Sequence, residues 1–362
     1  MHITIVAGAR PNFMKVAPII NSIKREQARG ANIQYRLVHT GQHYDKAMSD
    51  TFFEELSIPL PDANLEVGSG TQAVQTAMIM MRFEEELIKN ATEVVLVVGD
   101  INSTMACSIV AKKIGLQLVH VEAGIRSFDL AMPEEINRMV TDSIADHFFT
   151  TSHYANANLS KIGIEKERIH FVGNTMIDTL LANQSKFERP FFFQTKKLQV
   201  GKYLVLTLHR PSNVDDLVKL QELLTQISSS SRNLPIVFPA HPRTLMNLKK
   251  LQSIPLNIEL VEPLGYLEFM YLVKNSFCVI TDSGGIQEET TVLRVPCLTL
   301  RKNSERLETI SVGTNELIHS MQELPRWMDL LYSGKWKSGG IPEMWDGKTS
   351  ERIVNKLCEL YK

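Results

Sequence analysis

The chain has 362 residues, long enough for two domains with a sizeable core in each. Hydrophobic residues make up 44% and charged residues 22%, and the formal net charge is −1, so bulk charge supplies no surface for nucleic acid or membrane. No stretch approaches the ~20 apolar residues of a membrane span. The opening MHITIVAGARP is too short in its apolar run for a signal peptide, so a cytoplasmic protein is expected. Cys107, Cys278, Cys297 and Cys358 form no CxxC pair and read as buried free thiols of a reducing compartment.

In chain order, short apolar runs rich in β-branched residues recur at 3–7, 35–40, 93–98, 116–121, 147–150 and 169–172, with helical segments between them. A second series follows at 203–208, 235–238, 258–261, 277–281 and 296–300. Several runs are apolar on both faces, as strands covered by helices are. Strand–helix alternation predicts βαβ units and parallel sheets, and two series predict two doubly wound sheets. Residues 181–202 are irregular and Pro190 interrupts them, which places the inter-domain connection near 174–202. The tail SERIVNKLCELYK has apolar residues at helical spacing and reads as a terminal helix.

In open α/β sheets ligands bind beyond the carboxyl ends of the strands, so the polar residues there carry the functional signal. Gly8, Ala9, Arg10, Pro11 and Asn12 follow the first strand and open a helix carrying Lys15. A Gly turn with Arg and Lys at a helix N-terminus suits an anion, the alternative being an ordinary βα turn with solvated basic residues. Asp100 ends the strand at 93–98 and is either a site acid or the N-cap of the next helix. His120 and Glu122 close the strand at 116–121 and share a face by the two-residue period. Glu122 is a site acid or half of a buried ion pair with Arg126. Pro133, Glu134 and Glu135 open a helix on which Glu134 and Arg138 stand four apart, as a site group or a surface pair. His209 and Arg210 end the first strand of the second series and suit a diphosphate, or His209 is structural. Ser283, Gly284 and Gly285 open a helix after the strand at 277–281. There the backbone can approach a phosphate closely, or Ser283 caps the helix. Glu289, one turn further, suits ribose hydroxyls.

Two patterns carry no site. The GxGxxA match at Gly68–Ala73 follows no convincing strand. His39 and His43 flank a turn with no third ligand, so no metal is expected.

The ordered series GARPNFMKVAPI, TGQHYD, VVGDINST, HVEAGIRS, MPEEINR, VGNTMIDTL, LHRPSN, EPLGYLEFMYL and TDSGGIQEE spans about 300 residues and resembles the non-hydrolysing UDP-N-acetylglucosamine 2-epimerases. The resemblance implies the α/β GT-B architecture: two Rossmann-like doubly wound domains facing a central cleft. The expected boundaries are 1–175 for the first domain and 176–347 for the UDP-binding domain, with helix 348–362 packing back on the first. It implies reversible conversion of UDP-GlcNAc to UDP-ManNAc by elimination of UDP to 2-acetamidoglucal and re-addition, with no cofactor or metal. By motif match, Asp100, Glu122 and Glu134 form the acid–base set, and His209 contacts the diphosphate. Arg10 and Lys15 line the first-domain side. Ser283, Gly284, Gly285 and Glu289 hold phosphate and ribose, Phe269 lies by the uracil, and Arg138 and Arg306 are further substrate contacts. Proximity of carboxylates would raise their pKa values and keep one protonated.

Many members carry Glu where this chain has Asn12. Some bacterial members bind a second UDP-GlcNAc as an activator through residues matching Gln42 and His43 and a downstream Arg, whose place here is held near Ser69. Partners implied are the UDP-amino sugar and UDP, with no nucleic acid or membrane; a homodimer is common in the family. Competing readings are a 2-epimerase of a UDP-2,3-diacetamido uronic acid, a hydrolysing epimerase releasing ManNAc and UDP, a GT-B glycosyltransferase, and a non-catalytic sugar-nucleotide binder. Hydrolysing members usually carry an HGG-type sequence where this chain has His-Val-Glu-Ala-Gly.

Overall fold

A computed structural model describes residues 1–41, 55–56 and 58–361, apart from the side chains of Arg10, Pro242 and Arg243. The chain forms two compact units, Met1–Ala182 with Glu343–Lys362, and Asn183–Pro342.

The first unit is built on β1 (His2–Ala7), β2 (Gln34–His39), β3 (Ala63–Asn64), β4 (Val94–Val98), β5 (Gln117–Val121), β6 (His147–Thr150) and β7 (Ile169–Phe171). These strands pair in parallel in the order β3-β2-β1-β4-β5-β6-β7. β4 is VVLVV, with every residue buried, as a central strand covered on both faces requires. The helices that matter for the site are α1 (Arg10–Ala28), α2 (Gln72–Lys89), α3 (Asn102–Lys113), α4 (Pro133–Ile144), α5 (His153–Lys161) and α6 (Thr175–Asn183). Thr71 caps α2 by accepting from the Val74 amide.

Most of α6 belongs to the first unit, whereas a boundary at 175–176 assigns it to the second. Hydrogen bonds explain the difference. Thr179 donates to the Met14 carbonyl at 2.6 Å, and Asp178 accepts from the Thr349 and Ser350 amides at 3.1 and 2.7 Å.

The second unit holds β8 (Leu204–Thr207), β9 (Ile236–Pro239), β10 (Ile258–Val261), β11 (Cys278–Thr281), β12 (Cys297–Thr299) and β13 (Asn315–Leu317), parallel in the order β10-β9-β8-β11-β12-β13. Its helices include α7 (Leu217–Ser230), capped by Asp216, then α8 (Tyr266–Lys274), α9 (Gly284–Leu293) and α10 (Leu324–Tyr332). Leu204, Leu206, Leu223, Leu224, Ile236 and Phe238 form the centre of its core. The returning segment ends in α11 (Thr349–Leu360), which packs on α1.

Both units are Rossmann-like parallel sheets with the doubly wound strand order of the GT-B class. The order reverses between β1 and β4 and between β8 and β11, so each unit has one switch point, where such sheets bind ligands. Strands β3 and β13 were not expected. They are two and three residues long, sit at sheet edges and carry polar residues. All four cysteines are free, with Cys107, Cys278 and Cys297 buried and Cys358 half-buried. No helix among the described residues is long and apolar enough to cross a membrane.

Candidate active site

At the switch point of the first unit, β1 runs into α1 through Gly8 and Ala9. Both amides donate to Asn12 Oδ1 at 3.3 Å, and Asn12 Nδ2 donates to the Val98 carbonyl at 3.1 Å. Asn12 therefore braces this turn against β4. The free turn amides that favour an anion are in part taken, because the side chain three residues on accepts from them. The Arg10 side chain lies outside the described residues, as do Gln42 and His43.

One turn further, the Lys15 ammonium forms an ion pair with the Glu122 carboxylate, and both side chains are nearly buried. Glu122 leaves the end of β5 with φ +71°. That left-handed geometry costs a non-glycine residue about 1–2 kcal/mol, and such strain clusters where function demands it. Gly99 beside it has φ +70°, and a Cβ there would stand 3.2 Å from Lys15 Nζ, so glycine keeps room for the pair.

Asp100, after β4, is not the cap of α3, which begins beyond Ile101. Its Oδ2 accepts from Arg138 Nε at 3.0 Å and Nη2 at 2.6 Å. Arg138 also donates to Glu135 Oε2 at 2.6 Å. The expected Glu134–Arg138 pair is thus replaced by Glu135–Arg138. Glu135 is drawn inward by the Ser127 and Phe128 amides, which donate at 2.9 and 3.0 Å. Burial pushes the Glu135 carboxyl up, but these amides and Arg138 outweigh it and hold the carboxyl below the usual range. Glu134 is half-buried and has no hydrogen-bond partner among the described side chains. The expected Glu122–Arg126 pair is absent too, since Arg126 donates to Asp142 at 2.6 Å. Asp100 and Glu122 each carry a cation, Arg138 on the first and Lys15 on the second.

At the switch point of the second unit, His209 follows β8 and its Nδ1 lies 2.8 Å from Asp282 Oδ1. Asp282 is fully buried and also accepts from the Arg210 amide at 3.0 Å and Asn213 Nδ2 at 3.1 Å. Burial raises the Asp282 carboxyl, but the hydrogen bond and charge of His209, with Arg210 and Asn213, bring it below its ordinary value. His209 is half exposed. Its ring is thus fixed at Nδ1, and no described residue takes Nε2. Ser283 does not cap α9 through its side chain, and its own amide donates to Thr281 Oγ1 at 3.0 Å, so the amides the turn offers to another acceptor are those of Gly284 and Gly285 at the helix start. A Cβ on Gly284 would meet Glu305 Oε1 at 3.0 Å. Glu305 is held by Arg301 in a two-point pair at 3.1 and 2.5 Å, which puts a guanidinium beside the turn.

Glu289 is buried and accepts from the Tyr266 hydroxyl at 3.1 Å. Burial pushes its carboxyl up to about 8, Glu288 adding to the rise and Tyr266 opposing it. Arg306 pairs with Glu288 at 2.8 Å. Phe269 lies half-buried on α8, three residues from Tyr266. Sequence reasoning did not single out Asp282, Arg301 or a role for Glu135. Asp282 had a local signal: it continues the line of β11, a buried acid one residue before the glycine turn.

The UDP-N-acetylglucosamine 2-epimerase family profile matches residues 25–358. UDP-N-acetylglucosamine 2-epimerase of Methanocaldococcus jannaschii is 41% identical over 371 residues, covering 99% of each chain. UDP-2,3-diacetamido-2,3-dideoxy-D-glucuronate 2-epimerase of Pseudomonas aeruginosa is 36% identical, covering 99% of this chain and 100% of that one. The crystal structure of the M. jannaschii enzyme with UDP-GlcNAc and UDP superposes with a TM-score of 0.87 at 40% identity, covering 99% of this chain and all of that one. On residues, fold and relatives alike, the chain belongs to the UDP-N-acetylglucosamine 2-epimerase family.

Proposed function

We propose that the chain is a non-hydrolysing 2-epimerase that interconverts UDP-GlcNAc and UDP-ManNAc, by eliminating UDP to 2-acetamidoglucal and adding it back. The observation that carries this reading is the pair of cation-held acids, Asp100 with Arg138 and Glu122 with Lys15, at the switch point of the first unit. Elimination needs a base at C2, a proton donor for the opposite face, and charge stabilisation of the departing diphosphate. Asp100, Glu122 and Glu134 supply proton transfer, while Lys15 and Arg138 hold the acids. His209, fixed through Nδ1 by Asp282, meets the diphosphate with Nε2. The Ser283–Gly285 turn receives phosphate, Glu289 the ribose, and Phe269 the uracil, with Arg10 and Arg306 as further cations. The high identity to the M. jannaschii enzyme, and the binding of UDP-GlcNAc and UDP by that protein, support the substrate.

The same reading has the enzyme working in the cytoplasm as a homodimer, without cofactor or metal, and supplying ManNAc units to envelope polysaccharide. A second substrate, a UDP-2,3-diacetamido uronic acid, is favoured by the 36% identity to the P. aeruginosa relative over nearly the full chain. NMR of the enzyme with UDP-GlcNAc in D₂O tests substrate, product and mechanism together. UDP-ManNAc labelled at C2 is expected. Unlabelled product overturns the elimination route, free ManNAc overturns the non-hydrolysing assignment, and turnover of only the diacetamido uronic acid overturns the substrate.

A further inference from the structure

Behind the acids of the first unit lies a buried polar network. His120, on β5, and Asp142, on α4, are both sealed from solvent. His120 Nδ1 lies 2.7 Å from Asp142 Oδ1, and Nε2 lies 2.9 Å from the Gly99 carbonyl. The Gly99 carbonyl can only accept, so Nε2 donates. The other oxygen of Asp142 accepts from the Gly124 amide at 3.1 Å and Arg126 Nη1 at 2.6 Å, and Arg126 also donates to the Ile125 carbonyl at 2.8 Å. Burial raises the Asp142 carboxyl, but His120 and Arg126 outweigh it and hold it low.

The network touches both strand ends that carry acids. Through His120 it holds the Gly99 turn, one residue before Asp100. Through Gly124 it holds the backbone two residues after Glu122, whose left-handed φ needs support from its surroundings. Gly124 is itself wedged, since a Cβ there would meet the Ala155 carbonyl at 2.5 Å. Asp142 is anchored on α4, the helix that also presents Glu134, Glu135 and Arg138. One buried carboxylate thus ties the two strand ends to each other and to α4.

We propose that His120 and Asp142 are positioning residues that hold the Gly99–Asp100 turn and the left-handed backbone of Glu122 in register with α4, so that proton transfer depends on them while ligand binding does not. The inference rests on the acid–base reading of Asp100 and Glu122 given above. Neither residue touches the reacting atoms, and their effect passes through backbone groups.

The test compares His120→Phe, Asp142→Ala and Asp142→Asn with Asp178→Asn. Asp178 is a buried acid of the same unit whose partners are the Thr349 and Ser350 amides, away from both strand ends. In UDP-GlcNAc turnover, His120→Phe and Asp142→Ala are expected to lower kcat tenfold or more, with KM and the Kd for UDP within threefold of the parent. Asp142→Asn, which keeps an acceptor for Gly124 and Arg126, recovers part of the loss. Asp178→Asn lowers Tm without lowering kcat at 25 °C. Parental kcat in His120→Phe and Asp142→Ala overturns the proposal. An equal fall in kcat in Asp178→Asn at matched Tm overturns it, as does a rise in KM that accounts for the whole loss. If no variant at His120 or Asp142 folds, the network is a requirement of the core and the proposal fails. Should the parent enzyme not turn over UDP-GlcNAc, the functional reading is what fails. The crystal structure of Asp142→Ala then decides this point: an ordinary negative φ at Glu122 supports positioning, and a retained left-handed φ overturns it.

Discussion

Arg138 grips Asp100 with two of its nitrogens on one carboxylate oxygen, at 3.0 and 2.6 Å, while its third nitrogen holds Glu135 at 2.6 Å. A single guanidinium fork thereby links the end of β4 to the first turn of α4. Lysine cannot copy this arrangement, because an ammonium is a point charge without the planar fork. Arg138→Lys is expected to lower kcat for UDP-GlcNAc at least tenfold. Arg138→Met leaves Glu135 buried without its cation and costs about 3–5 kcal/mol. Steady-state kinetics and urea unfolding read the two effects, and full activity with parental stability in both variants would refute the linkage.

Glu122→Gln keeps the size of the side chain and removes its basicity. General acid–base groups contribute typically about 10²–10⁴ in rate, so turnover should fall by that factor while UDP affinity stays within threefold. Turnover near the parental rate removes Glu122 from the acid–base set.

Glu289 is the clearest source of pH-dependent stability in the second unit. Its folded carboxyl titrates at about 8, against roughly 4.3 in an unfolded chain. Between those values the folded state binds more protons than the unfolded state, so stability falls as pH rises from about 4.3 to 8 and levels off above. Glu289→Gln removes that slope. Urea unfolding at pH 5.5 and pH 8 should show the variant gaining on the parent by a few kcal/mol at the higher pH. A gap between the two proteins that is the same at both pH values would exclude a titrating Glu289.

Asp282 organises the His209 turn by accepting from two backbone amides, Asn213 and the imidazole. Asp282→Ala leaves buried donors unsatisfied, at a cost of about 1–3 kcal/mol each, and frees the ring of His209. UDP affinity measured by calorimetry should weaken about tenfold, since one 1.4 kcal/mol contact corresponds to that factor. Parental affinity with only lowered stability would show that His209 needs no orienting partner.

Much of the fold was legible because its strands are buried on both faces. VVLVV at β4 and CVIT at β11 read as strands from their short apolar, β-branched runs. β3 and β13 were not, because two or three residues of mixed polarity at a sheet edge carry no pattern. For Arg138, helical spacing pointed to Glu134, four residues before it, although Glu135, three before, lies as close on a helix. The Ser127 and Phe128 amides, on the preceding loop, chose Glu135 by turning it inward. Spacing also offered Glu122 the nearby Arg126, but Asp142 takes that cation and Lys15, more than 100 residues earlier, takes its place.

From the sequence alone, the ordered motifs identified the family by resemblance, and local periodicity and residue type determined the two doubly wound sheets and the polar residues at their strand ends. Which acid meets which cation, and the left-handed backbone that presents Glu122, were decided only by the tertiary structure. Those pairings join distant parts of the chain, and the geometry that selects them exists only once β1, β4, β5 and α4 have packed.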